Sequence, residues 1–340
     1  MTVNGQRHDV VAIGNAIVDV LVQCDDELIR RLGLEKGAMS LVDAARAKEI
    51  YGQIGTGVEA SGGSAANTAA AVASLGGDAA FLGKVRDDEF GEIFAHDLRA
   101  TGVHDATIPA TSGPRTAHCL VLITPDAQRT MCTYLGIAGQ LSAEDVDRQL
   151  VEASAITFLE GYLVGLPTAE AAIRAAVAAA RQLDRRVALT LSDPTWVAAQ
   201  RAAVMALLPD VDILLANEHE ARQLTGEADA AAAVKALTRS CPVVAVTRSE
   251  HGALVSDGSN TVAVPAETAS RVIDTTGAGD VFAAGFLLGL ARQHDIAASA
   301  RLGAVAAAEV IGHLGARPEI SLADHVRRAG ITLKPPEPGA

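Results

Sequence analysis

The chain has 340 residues, of which 49% are hydrophobic and 3% aromatic, and it carries a formal charge of −13 at pH 7. That length allows one large domain, or one domain with an appendage, and the small apolar side chains suit packing between helices and a parallel sheet. The negative charge argues against nucleic acid or an anionic membrane as the main partner, although a nucleotide could still be met locally by a metal ion and helix ends.

The start, MTVNGQRHDVV, lacks a basic region followed by a long apolar run, so no signal peptide is expected. The first strand is predicted at His8–Ile13. Gly14-Asn15-Ala16-Ile17-Val18-Asp19 follows it. An Asp in an apolar strand is unfavourable unless hydrogen-bonded. Two vicinal hydroxyls of a ligand would satisfy Asp19, and so would its own backbone in a turn. Residues 17–23 alternate in the manner of an antiparallel strand. At Gly62-Gly63-Ser64-Ala65-Ala66-Asn67, two glycines and a serine precede a helix predicted at 68–75. Here the glycine backbone and Asn67 can clasp the hydroxyls of a polar substrate, or Ser64 can act simply as an N-cap.

A strand at Ala79–Leu82 and a helix over about 88–100 come next. Residues 116–123 and Arg129–Tyr134, separated by Thr-Pro-Asp-Ala-Gln, predict a hairpin, either a lid or an edge of the main sheet. Short apolar runs at 155–159, 187–191, 213–216 and Val243–Thr247 alternate with helical patterns at about 167–182, 195–208 and 217–224. This alternation predicts an α/β fold whose mostly parallel sheet is covered by helices on both faces, with ligands beyond the carboxyl ends of the strands. Asn217 and Glu220 read as a capping box, or as a pair that orders Mg²⁺ and its waters. Thr247, Ser249 and Gly252 stand in a turn suited to a nucleotide. A second hairpin is predicted over 255–264, with its turn at 257–260.

The most informative string is Asp274-Thr-Thr-Gly-Ala-Gly-Asp280, which runs into an apolar helix. Gly277, Ala278 and Gly279 let the backbone pass close to a ligand, and the amides of a helix start favour an anion. Beside them, the Asp280 carboxylate can accept the proton of an attacking hydroxyl. An anion hole with an adjacent base suits phosphoryl transfer. It is not a P-loop: Gly83-Lys84 is followed by Val85, and Asp78 stands where the first glycine should be. Nor is it a dinucleotide fingerprint, since Phe282 occupies the third glycine position.

Cys24, Cys119, Cys132 and Cys241 are scattered, which predicts reduced thiols in a cytoplasm and no zinc site. The apolar stretches at 166–180 and 281–291 are too short, or too interrupted by charge, to span a bilayer. A single domain is expected over 1–334, with a lid drawn from about 15–42 and 107–138, and a loose Pro-rich tail at 335–340. Nothing here fixes an oligomeric state.

Together these motifs resemble the ribokinase-like carbohydrate kinases, the PfkB family, over nearly the whole length. Residues 274–280 are similar to that family's C-terminal signature and 62–67 to its N-terminal glycine signature. Asn217-x-x-Glu220 is similar to its Mg²⁺/phosphate motif, and 247–252 to its nucleotide-binding turn, with Ser249 in place of the usual Gly. Within the family, residues 14–19 and the lid stretch 119–139 look most like the adenosine kinase branch, although Ala65-Ala66 replaces the Thr-Gln of the animal enzymes.

The resemblance implies an ATP-dependent kinase acting on the 5′-hydroxyl of adenosine or a related ribonucleoside. Asp280 would be the base, with Gly277, Ala278 and Gly279 as the anion hole. Asp19, Gly63 and Asn67 would hold the ribose beside Asn15, Gly62 and Ser64, with Leu135 and Ile137 lining the ring pocket. Arg129 would close over the phosphates. ATP would contact Asn217, Glu220, Thr247, Ser249, Gly252, Gly277 and Gly279, and Mg²⁺ would sit near Asn217 and Glu220 through water. Asp274, Thr276, Gly315 and Ala316 are similar to a family site for a monovalent cation, K⁺. The alternatives are a sugar kinase of the same family, acting on ribose, fructose or a keto-deoxy sugar acid, and a nucleotide-binding module without turnover.

Overall fold

The computed structural model describes residues 8–126, 128–269 and 271–335; the tail expected to be loose lies, from 336 on, outside the described residues. In chain order the strands are β1 (His8–Ile13), β2 (Ile17–Gln23), β3 (Met39–Leu41), β4 (Val58–Gly62), β5 (Ala79–Leu82), β6 (His104–Asp105), β7 (Ala117–Ile123), β8 (Arg129–Tyr134), β9 (Ser154–Leu159), β10 (Arg186–Thr190), β11 (Ile213–Asn217), β12 (Val243–Thr247), β13 (Ala253–Ser256) and β14 (Thr261–Val264).

Nine strands form the main sheet in the order β14-β13-β12-β11-β10-β9-β1-β5-β6. From β6 to β12 all neighbours are parallel, and β13 and β14 continue as an antiparallel hairpin. Both faces are covered, so the parallel strands are continuous apolar runs rather than alternating ones. Val10, Ala12, Phe81 and Phe158 pack on one face with the helices Ser64–Ser74 and Ala278–Ala291; Val11, Ile13, Leu159 and Leu189 pack on the other with Pro167–Gln182. Since β1 pairs with β5 on one side and β9 on the other, a crevice opens beyond its carboxyl end. The ends of β1, β9, β10, β11 and β12 all face this edge.

The hairpin of β7 and β8 forms as expected but does not edge the main sheet. It belongs to a second sheet, β3-β8-β7-β2-β4. The expectation of an antiparallel strand at 17–23 holds on one side only: β2 runs antiparallel to β4 and parallel to β7. Val20, Val22, Leu120, Leu122 and Cys132 face the helices Asp26–Arg31 and Ala44–Tyr51. The opposite face carries Asp19, which pairs in register with Cys119, itself opposite Thr133.

The helix predicted at 68–75 begins four residues earlier, as Ser64–Ser74. Gly63, at φ 92°, is its N-cap, and no side chain caps it.

Candidate active site

Two glycine-opened helix starts meet beyond the end of β1. Gly277 is the N-cap of the helix Ala278–Ala291, with φ 77°. A Cβ there would stand 2.5 Å from the Ala316 carbonyl oxygen, so the loop containing Gly315 and Ala316 packs directly behind the turn. At Gly279 a Cβ would meet open space. Of the three expected anion-hole amides, that of Ala278 is turned inward and donates to the Thr275 carbonyl at 3.2 Å. Gly277 and Gly279 line the cavity beside Asp280. The tight turn therefore uses one of the three expected donors itself.

Asp280 lies in the first turn of this helix. Ser64 Oγ donates to its Oδ1 at 2.6 Å and Asn67 Nδ2 to its Oδ2 at 3.2 Å. Burial pushes its carboxyl up to about 6, against the two hydrogen bonds, which hold it down. The N-capping alternative for Ser64 is overturned, since its hydroxyl serves a carboxylate on another helix.

Asp19 reaches the same place from β2. Its carboxylate lies against Gly62, where a Cβ would fall 2.3 Å from Oδ2; only glycine permits this approach. Burial pushes Asp19 up to about 6; Arg317 and Arg129 lower it, and Asp280 raises it. Asn15, 1% exposed, gives its side-chain Nδ2 to Glu160 Oε1 at 2.6 Å. The Ala65 amide donates to Glu160 Oε2 at 3.0 Å. Burial pushes Glu160 up to about 7.

Sequence reasoning missed Glu160 and Arg317, and in the cavity wall Tyr162, Thr190 and Ser192. For Glu160 a signal existed: an acidic residue directly follows the apolar run of β9, much as Asp19 stands among apolar neighbours. Arg317 offered none.

On the donor side, a cavity of about 300 Å³ is lined by Ser64, Tyr162, Asn217, Glu220, Thr247 and Asp280 among others. The capping box is real: Asn217 Oδ1 accepts from the Glu220 amide at 2.8 Å, and Glu220 Oε2 accepts from the Asn217 amide at 2.9 Å. Yet Glu220 is also buried in this wall, and burial pushes it up to about 7, with Asp193 and Asp280 adding to the rise. Among the described residues, no group of three His, Cys, Asp or Glu side chains can ligate a metal directly. Asn217 and Glu220 suit Mg²⁺ that keeps its own waters and is held through substrate phosphates.

Thr247 is in the cavity wall, whereas Ser249 and Gly252 lie in the turn beyond it. Ser249 adopts φ 50°, so the backbone takes the left-handed path without the usual glycine.

Arg129, on β8, makes a buried ion pair with Asp274 Oδ2. Asp274 Oδ1 accepts from the Thr276 amide and hydroxyl at 3.0 and 2.7 Å, and Oδ2 accepts from the Gly315 amide at 2.9 Å. The carboxylate is thus held by protein donors and a guanidinium, and these residues do not fit a bound monovalent cation in this arrangement. Leu135 is half-buried, and Ile137 is buried beneath Gly113; both stand apart from the cavity at Asn217 and Thr247.

A parallel sheet that presents a helix-start carboxylate and glycine amides at its carboxyl edge, under a small β-sheet, is a ribokinase-like α/β fold. The chain belongs to the pfkB family carbohydrate kinases, whose sequence pattern matches residues 37–322. A crystal structure of adenosine kinase from Sinorhizobium meliloti is 47% identical, with a TM-score of 0.89 over 95% of this chain and all of that one. A probable sugar kinase from Rhizobium etli CFN 42 is 42% identical, with a TM-score of 0.90 over 96% of this chain and 99% of that one. Adenosine kinase of Saccharomyces cerevisiae is 27% identical over 329 residues, covering 90% of this chain and 95% of its own. The chain is a phosphotransferase that acts on a hydroxyl group, with ATP as donor and Mg²⁺ as its companion ion.

Proposed function

We propose that this enzyme transfers the γ-phosphoryl group of ATP to the 5′-hydroxyl of adenosine or a close ribonucleoside, giving AMP and ADP. The observation that carries this reading is the placement of Asp280, bonded to Ser64 and Asn67 on one side and open to the Gly277–Gly279 turn and the cavity on the other. Asp280 takes the proton of the attacking hydroxyl. The amides of Gly277 and Gly279 face the phosphoryl charge. Mg²⁺ held near Asn217 and Glu220 through water neutralises the phosphates. Asp19 accepts from the ribose hydroxyls, Asn67 and the Gly63 amide complete the clasp, and Asn15 stands beside them. The second sheet excludes water, which would otherwise compete as acceptor.

The relatives from Sinorhizobium meliloti and Saccharomyces cerevisiae support a nucleoside acceptor; the one from Rhizobium etli keeps a free sugar as the second reading. Potassium is left out of this reading because Arg129 already neutralises Asp274. Four free thiols suit a reducing compartment, and we place the enzyme in the cytoplasm. Among the described residues no helix is long and apolar enough to cross a membrane.

Measured kcat/KM for adenosine, inosine, ribose and fructose with Mg²⁺ and ATP tests the reading. Adenosine should lead. A clear preference for a free sugar removes the nucleoside and leaves the kinase; no acceptor-dependent ADP release with any of the four removes both.

A further inference from the structure

Arg317 belongs to none of the recognised motifs, yet it reaches the centre of the site from the loop behind Gly277. Its Nε donates to Asn67 Oδ1 at 3.3 Å. Asn67 in turn gives its Nδ2 to Asp280 at 3.2 Å. The guanidinium also faces Asp97, from the helix Glu89–Ala100, and Asp19, from β2. An asparagine amide can exchange its oxygen and nitrogen by a half-turn. A guanidinium only donates and a carboxylate only accepts, so the pair selects one of the two orientations.

We propose that Arg317 is a positioning residue for phosphoryl transfer: it holds Asn67 with its nitrogen toward Asp280, and it supplies positive charge to a pocket that also contains the Asp19 and Asp280 carboxylates. The proposal rests on reading Asp280 as the base. The surroundings explain why a cation is needed there. Asp19 faces Arg129 from β8, Asp280 from the helix Ala278–Ala291, and Cys119 from β7. Asp280 faces Ser64 and Asn67, and also Glu160, Glu220 and Tyr162 across the crevice. With Arg129 engaged by Asp274, Arg317 is the cation bonded to the substrate-side cluster itself.

The test compares Arg317→Met, Arg317→Lys and Arg317→Gln in the full chain, with kcat and kcat/KM for adenosine followed against pH. Arg317→Met should lower kcat by about tenfold or more, the scale of coupling between contacting polar groups. Its acid limb should move up by about one pH unit, because Asp19 loses the nearby opposite charge that lowers it. Arg317→Lys should restore the limb. Arg317→Gln, which keeps a donor but no charge, should hold kcat nearer the parent while the limb still moves, and it carries the test if the Met variant does not fold. In an Asn67→Ala background, Arg317→Met should cost less than about threefold, because the group through which it acts is gone.

An unmoved acid limb in the Met and Gln variants, or an equal cost in both backgrounds, overturns the proposal. Titration of ¹³C-labelled Asp carboxyls by NMR needs no turnover. If the parent enzyme phosphorylates no acceptor, the functional reading fails, and a shift of the Asp19 titration in Arg317→Met still decides the positioning role.

Discussion

Ser64 Oγ donates to Asp280 Oδ1 at 2.6 Å across 216 residues of sequence. The bond ties the start of the helix Ser64–Ser74 to the start of the helix Ala278–Ala291. Thr68 Oγ1 adds a second tie to the Asp280 carbonyl at 3.3 Å. The two helix starts are therefore placed relative to one another by Asp280 itself.

The first prediction follows from the ionisation of Asp280. A base must be unprotonated, and burial puts this carboxyl at about 6, so kcat/KM should fall as pH drops through that value. Hydrogen bonds to a carboxylate favour its charged form, so Ser64→Ala should move the acid limb upward. Asp280→Asn should lower kcat by roughly 10²–10⁴-fold. A kcat within about twofold of the parent would remove Asp280 from the role. Stability should change in the opposite sense. A carboxyl raised above its ordinary value keeps its proton in the folded state after the unfolded chain has lost it, so its contribution declines as pH rises from about 4 through 6. Asp280→Asn should therefore raise Tm more at pH 8 than at pH 5, a comparison made directly by calorimetry.

Asp19 should set acceptor choice. A buried carboxylate discriminates against a ligand that leaves it unpaired, so 2′-deoxyadenosine should be a poor substrate and 5′-deoxyadenosine no substrate. Asp19→Ala should cost about 1.5–3 kcal/mol in kcat/KM for adenosine, the worth of a charged hydrogen bond, and should narrow the gap to the 2′-deoxy analogue. An unchanged ratio of the two substrates would take Asp19 off the ribose.

Glu160 should matter for both stability and rate. Glu160→Ala leaves Asn15 Nδ2 and the Asn15 and Ala65 amides without their acceptor in a buried site. Three orphaned donors at about 1–3 kcal/mol each predict a large fall in Tm. Asn15 would also lose its fixed position, so kcat/KM should drop beyond what the remaining folded fraction explains. A variant as stable and active as the parent would show that Glu160 is dispensable.

Arg129 and monovalent ions form the fourth case. With Arg129 paired to Asp274, rates in K⁺, Na⁺ and a bulky organic cation at fixed ionic strength should agree within about twofold. In Arg129→Ala the Asp274 carboxylate loses its counter-charge, and a dependence on K⁺ should appear. Strong K⁺ activation of the parent would show that Arg129 leaves Asp274 in the working state.

The glycine turn that opens the helix Ala278–Ala291, the capping box at Asn217 and Glu220, and strands such as His8–Ile13 were legible because their causes are local. A glycine turn, a helix start or an apolar run is decided by residues within a few positions of one another. The partners of Ser64, Arg129, Glu160 and Arg317 were not legible. Ser64 can bond its own helix start or a distant carboxylate equally well, and only the packing of the helix Ser64–Ser74 against Ala278–Ala291 selects Asp280. Arg129 was expected on phosphates, but the second sheet delivers it to Asp274. Glu160 meets Ala65 across 95 residues, and Arg317 meets Asn67 across 250. A side chain's chemistry is written in the sequence, but the group it faces, and the burial that shifts its charge, exist only once the chain has folded.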